Sequence, residues 1–147
     1  MHPSAQSFLS MPPAAKRLVH LRLCEQALSV WERHFPPGSE VIYRESVAGS
    51  SQELDVLLPH EALASIRAGK DDFGISQRFQ EPLAALHDGD LEIPEDAEFA
   101  FYAIRNAFQL HVVGKPTDDW LIVNQACSAV GEARAVEVLQ EAIENVA

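Results

Sequence analysis

Residues 12–37, PPAAKRLVHLRLCEQALSVWERHFPP, repeat apolar side chains at the spacing of an α-helix. Large apolar residues recur at three- to four-residue steps or their multiples: Leu18, Leu21, Leu28, Trp31 and Phe35. Cys24 fills the gap in this stripe. Pro12 and Pro13 suit a first helical turn, and the Pro36-Pro37-Gly38 run ends the helix. The stretch therefore predicts one long helix with Trp31 on its core face.

Helical spacing continues along the rest of the chain. Each later helix is predicted to begin at a proline, a capping hydroxyl or a glycine: Pro59 (which begins or kinks a helix), Ser76, Pro94, Thr117 and Gly131. Residues 41–43 favour a strand, but no alternating partner run follows, so we interpret them as a short helical turn or loop. We predict an all-α fold, a single compact domain of about six helices over residues 12–147, preceded by a flexible arm over residues 1–11.

The charge of the chain is unevenly placed. Residues 1–35 hold four bases and two acids, whereas residues 36–147 hold seven bases and twenty acids, within a formal net charge of −11. Such a chain is repelled by phosphate backbones and by anionic lipid surfaces. We therefore expect neither nucleic acid nor a membrane as a partner, and we expect a basic protein.

The composition of the chain indicates where in the cell the protein is located. No stretch approaches the roughly 20 apolar residues that span a bilayer, and residues 1–13 lack the basic and apolar regions of a secretory signal. Cys24 and Cys127 both lie in apolar helical patterns, so we expect buried free thiols rather than a disulfide. The predicted location is cytoplasmic.

The stretch LHDGDLEIPEDAEF, residues 86–99, is rich in carboxylates. As an EF-hand loop beginning at Asp88 it fails, because Ile93 stands where glycine is needed and Phe99 where a bidentate glutamate is needed. Helix capping would use two or three of these acids. Yet no lysine or arginine occurs between residues 78 and 105, whereas seven acids do: Glu81, Asp88, Asp90, Glu92, Glu95, Asp96 and Glu98. We interpret this excess as a surface that binds a partner.

No sequence motif indicates a catalysed reaction. His60-Glu61 begins the zinc motif H-E-x-x-H, but Ala64 occupies the second histidine position. The six histidines form no i, i+4 pair, and there is no nucleophile elbow, P-loop or dinucleotide-binding turn. We therefore expect no metal, no cofactor and no catalytic residue. A small enzyme that uses His87 with neighbouring carboxylates stays an alternative.

A second group of candidate residues begins the predicted helix after residue 117. Asp118 and Asp119 fit a capped first turn better than a catalytic pair. Trp120 follows with one edge expected to face solvent; tryptophan is enriched at the energetic centres of interfaces, and core packing is the alternative. We assign these residues and the acids of the earlier stretch to one partner-binding surface: Asp88, Asp90, Glu92, Glu95, Asp96, Asp118, Asp119 and Trp120.

Two segments carry a resemblance to a known class of proteins. LCEQALSVWERHFP (residues 23–36) and AFYAIRNAFQLHVVGKPTDDWLIVNQAC (residues 100–127) resemble stretches of small helical immunity proteins of bacterial polymorphic-toxin systems. The resemblance implies a non-enzymatic cytoplasmic protein that binds one cognate toxin and blocks its active site. It carries over no binding residues, because such families share no fixed binding motif.

The charge pattern agrees with this class, since an acidic surface complements a basic active-site cleft and speeds association with it. We therefore predict toxin neutralisation through the acidic surface. The alternative from a different class is an adaptor or chaperone for a secreted effector, which would expose apolar surface around Trp120 and Phe101. Salt dependence of binding separates the two, because salt screens charge pairs and leaves apolar contacts intact.

Overall fold

A computed structural model describes residues 3–146 and shows a predominantly helical chain. In chain order the elements are α1 (Pro3–Leu9), α2 (Pro13–His34), β1 (Ile42–Arg44), β2 (Ser51–Glu53), α3 (Leu58–Ala68), α4 (Ile75–Arg78), α5 (Gln80–Asp88), α6 (Glu95–Phe108), α7 (Asp119–Val130) and α8 (Glu132–Glu144). A 3₁₀ turn (Asp72–Gly74) precedes α4, and a π-helical turn (Gln109–Val113) extends α6. Six of these helices have at least nine residues, so the predicted all-α fold is confirmed.

The core is organised around α6, which packs against α2, α3 and α7. Small residues on α6 are fully buried and let these helices approach closely: Ala97, Ala100, Ala103 and Ala107. Trp31 of α2 lies in the middle of the core with no exposed surface. Its indole Nε1 donates to the carbonyl oxygen of Val56 at 2.9 Å, and its ring centre lies 5.5 Å from that of Phe101. The predicted core position of Trp31 is therefore confirmed.

The segment after α2 corrects one expectation. Residues 41–43 are not a helical turn or loop: β1 pairs antiparallel with β2, with Tyr43 opposite Gln52. Tyr43 points into the core and is 9% exposed, while Gly49 in the connecting turn takes φ +69°, a conformation that favours glycine. The partner strand β2 is polar, so no apolar alternation marked it in the sequence.

The N-terminus also differs from the expected flexible arm. The first two residues lie outside the described range, but the next seven form α1, and Phe8 in that helix has no exposed surface. The Phe8 ring centre lies 5.4 Å from that of His20 and 6.2 Å from that of Trp120. Burial of one such side chain stabilises the docked helix by roughly 1.5–3 kcal/mol relative to exposure.

The predicted stripe of α2 is buried from Cys24 onward, but the first turns of the helix bury a different face. Leu18 is 44% exposed, whereas Val19 and His20 have no exposed surface. Cys24 is fully buried, as expected, and Cys127 is partly buried; both are free thiols. Burial raises the pKa of these thiols to about 12 and about 11, respectively.

Two predicted helix starts are also wrong. The helix expected after Ser76 is broken into α4 and α5, because Pro82 has no N–H to donate to residue 78 and its ring crowds that carbonyl. The side chain of Ser76 donates instead to Asp71 at 2.8 Å. At α7 the N-cap is Asp118 rather than Thr117, since the Asp118 carboxylate accepts the backbone N–H of Trp120 at 2.9 Å.

Among the helices of residues 3–146, none combines the length and the apolar composition that are needed to span a bilayer.

Candidate functional site

The acidic segment, residues 88–98, runs from the end of α5 into the first turn of α6 and is fastened to the fold at two carboxylates. Asp90 Oδ2 accepts from the backbone nitrogen and the hydroxyl of Ser46 in the β1–β2 turn, at 3.0 and 3.1 Å. Asp96 pairs with Nε2 of His34 at 2.8 Å and accepts the N–H of Ala97 at 2.8 Å. Burial opposes ionisation of Asp96, but these hydrogen bonds and the nearby positive charge lower its pKa overall.

Glu81 extends this negative surface toward the hairpin. The hydroxyl of Tyr43 donates to the Glu81 carboxylate. Burial and the charge of Asp90 raise the pKa of Glu81. Glu81 and Asp90 thus both bond to the hairpin, one through Tyr43 and the other through Ser46.

Three carboxylates of the acidic segment are exposed and uncommitted. The side chains of Asp88, Glu92 and Glu95 make no hydrogen bond and no ion pair with any residue in the range 3–146. The fold therefore fixes the backbone of the segment through Asp90 and Asp96 and leaves the charge of the other three side chains unbalanced. Such a preformed negative surface suits a positively charged partner.

The remaining three predicted residues lie elsewhere. Asp119 lies beside the start of α2, where its carbonyl oxygen accepts from His20 at 3.0 Å, whereas Asp96 lies beside His34 at the end of α2. His34 lies fourteen helical steps after His20, which at about 1.5 Å per step is about 21 Å. The eight predicted residues therefore occupy two places on the molecule rather than one surface.

Local contacts account for this second group. Asp118 caps α7, and Asp119 Oδ2 lies 3.4 Å from Nζ of Lys16. Trp120 is half-buried against Phe8 of α1. These contacts hold α1, α2 and α7 together, so we remove the three residues from the candidate binding surface.

A pair of histidines beside this group is the feature that sequence reasoning missed. Nδ1 of His20 lies 2.8 Å from Nε2 of His111, which belongs to the π-helical turn after α6. The two residues are 91 positions apart, so a search for pairs within one helix cannot find them. No local signal in the sequence marks the contact.

The direction of both hydrogen bonds follows from two facts: a carbonyl oxygen only accepts, and burial lowers the pKa of His20 and so keeps its ring neutral. Nε2 of His20 contacts the Asp119 carbonyl and therefore carries the single ring proton, which leaves Nδ1 of His20 as an acceptor. His111 must then donate from Nε2 to His20. Both rings are neutral Nε2–H tautomers. His111 therefore donates to His20, and His20 donates to the Asp119 carbonyl at the start of α7.

Burial holds both rings neutral. It lowers the pKa of His20, against the raising effects of the Asp119 hydrogen bond and charge. It also lowers the pKa of His111 to about 4, aided by the positive charge of Arg17 and by the repulsion that arises when His20 is protonated.

The other residues considered as candidates, His87 and Phe101, do not come together in a site. His87 is exposed and makes no hydrogen bond or ion pair within residues 3–146. Phe101 is fully buried, so it supplies none of the apolar surface expected of an adaptor. In the described part of the chain no three His, Cys, Asp or Glu side chains are grouped to hold a metal ion.

Comparison with known proteins identifies no relative. No protein-family model matches the chain, and searches of curated proteins and of solved structures yield no match.

Proposed function

We propose that this chain is a cytoplasmic immunity protein that binds one basic protein toxin through its acidic segment and blocks the toxin's active site. The observation that carries the proposal is the set of three exposed carboxylates, Asp88, Glu92 and Glu95, for which residues 3–146 supply no positive partner. The resemblance of residues 23–36 and 100–127 to helical immunity proteins supports the same class of function.

The way the segment is held supports binding as well. A flexible acidic loop would lose conformational entropy when a partner orders it, at about 0.5–1.5 kcal/mol for each immobilised side chain. Here Asp90 and Asp96 already fix both halves of the segment to the hairpin and to α2. Complementary charge then speeds the encounter and orients the partner.

The test is rescue of cells that express the product of the adjacent gene, a candidate toxin, with and without this chain. The informative variant carries Asp88→Lys, Glu92→Lys and Glu95→Lys, because these substitutions break no contact in the described fold. We expect rescue by the native chain and loss of rescue by this variant.

A matched control reverses three exposed acids on α8, which packs against α1, α2 and α7: Glu137→Lys, Glu141→Lys and Glu144→Lys. This control changes the net charge by the same amount and should still rescue. Equal loss of rescue in both variants would show that total charge matters and not the acidic segment. A toxic neighbour that kills cells despite the native chain would overturn the proposed function.

A further inference from the structure

A small groove on the outer face of α6 adjoins the acidic segment. It encloses about 180 Å³ and is lined by Glu95, Glu98, Phe99 and Tyr102. Pockets for drug-sized molecules occupy roughly 300–1,000 Å³, so this groove is of side-chain size. The four residues line one outer face of α6, because positions three and four apart lie side by side on a helix.

The groove combines two aromatic walls with two carboxylates. Phe99 and Tyr102 are half-buried, each with one side against the core and the other toward the groove. Glu98 is partly buried, and burial together with the negative charge of Glu98 raises the pKa of Tyr102. Neither glutamate forms an ion pair with a lysine, arginine or histidine in residues 3–146.

An arginine side chain matches this lining in shape and charge. A guanidinium group is planar, stacks on aromatic faces and donates in parallel to a carboxylate. Cations placed over aromatic rings gain further attraction when they leave water. A lysine ammonium would gain the charge interaction but not the stacking.

We propose that the groove formed by Glu95, Glu98, Phe99 and Tyr102 is a pocket for one arginine side chain of the partner protein. This inference rests on the proposed function, since the arginine belongs to the basic protein that the acidic segment attracts. It assigns the groove, including Glu95, the role of anchor, and Asp88 and Glu92 the role of steering charges.

The pocket can be tested without the partner. The probes are acetyl-Gly-Arg-Gly-amide and the same peptide with citrulline, which keeps the shape of arginine but carries no charge. NMR of the native chain with labelled tyrosine gives two ring signals, because the chain contains only Tyr43 and Tyr102. We expect the arginine peptide to shift the Tyr102 signals in a saturable way, with half-saturation in the millimolar range, and to leave those of buried Tyr43 in place.

Conservative variants complete the test. Glu98→Gln should weaken binding of the arginine peptide several-fold, while Glu132→Gln, at an exposed acid on α8, should not. Equal shifts with the citrulline peptide, or an unchanged affinity in Glu98→Gln, would overturn the pocket. Shifts of equal size in the Tyr43 and Tyr102 signals would overturn it as well.

The outcomes separate this inference from the proposed function. If the native chain does not rescue cells from the candidate toxin, the toxin-binding function falls, and the peptide titration still decides the pocket. If rescue occurs and Glu98→Gln binds the toxin as tightly as the native chain, only the pocket is refuted.

Discussion

Replacement of His111 by glutamine should reduce the sensitivity of the fold to acid. A glutamine amide donates from a position close to that of Nε2 in histidine, so it preserves the hydrogen bond to Nδ1 of His20, but it does not titrate. We therefore expect His111→Gln to keep most of its stability at neutral pH and to lose less of it as the pH falls.

The size of the effect follows from the pKa of His111, about 4 in the folded protein and 6.5 as the ordinary value. Above about pH 6.5 the ring is neutral in both states. As the pH falls below that value the unfolded chain binds the proton first, so the free energy of unfolding decreases until the pH passes through the folded pKa. Between about pH 7 and about pH 5 the loss would be about 2 kcal/mol for a fully buried ring. Because His111 is partly exposed and solvent screens its charge interactions, we expect about 1 kcal/mol.

Urea unfolding at pH 7 and pH 5 measures this difference, since the free energy of unfolding is obtained at each pH for each variant. The change between the two pH values should be about 1 kcal/mol smaller in His111→Gln than in the native chain, which corresponds to roughly 3 °C in melting temperature. Comparison of the two proteins cancels the contribution of the many carboxylates. His60→Gln, at an exposed position on α3, controls for the substitution itself. Equal pH dependence in His111→Gln and the native chain would refute the neutral histidine pair.

Two further predictions concern stability. Phe73 is 85% exposed and takes φ +61°, a left-handed conformation that costs a non-glycine residue about 1–2 kcal/mol. Phe73→Gly should therefore raise the urea midpoint by an amount equivalent to about 0.5–1 kcal/mol. A lower midpoint would show that the Phe73 ring stabilises the fold. Asp118→Ala should lower the free energy of unfolding by about 1 kcal/mol through loss of the α7 cap, and Asp118→Asn should keep most of the stability of the native chain. Thermal unfolding followed by circular dichroism measures both variants. Equal melting temperatures for the alanine variant and the native chain would mean that the cap has no energetic effect.

The long helices were predictable because their signal is local. Apolar spacing and terminal prolines describe α2 and α6 within a single window of sequence. The hairpin and α1 were not predictable in this way. Tyr43 becomes a strand residue through burial in the core and a polar partner strand, and Phe8 is one aromatic residue whose partners lie on α2 and α7. Tertiary packing, which the spacing of residues does not encode, decides both elements.

The candidate site, too, was predictable from the sequence only in part. The excess of acids between residues 78 and 105 is a property of composition and was visible in the sequence. Which acids are free depends on distant residues: Ser46 binds Asp90 across 44 positions, and His34 at the end of α2 binds Asp96. Only these contacts distinguish the carboxylates that hold the segment from those that face solvent.

The length of α2 gives the molecule two ends that can evolve separately. The acidic segment and the histidine pair are about 21 Å apart along this helix, more than twice the ~8 Å over which physiological salt screens a charge. Changes in charge at one end therefore leave the titration of the other unaffected, and their effects on stability add. Substitutions around Glu92 and Glu95 can therefore change the charge of the acidic segment while the packing that secures the N-terminus stays as it is.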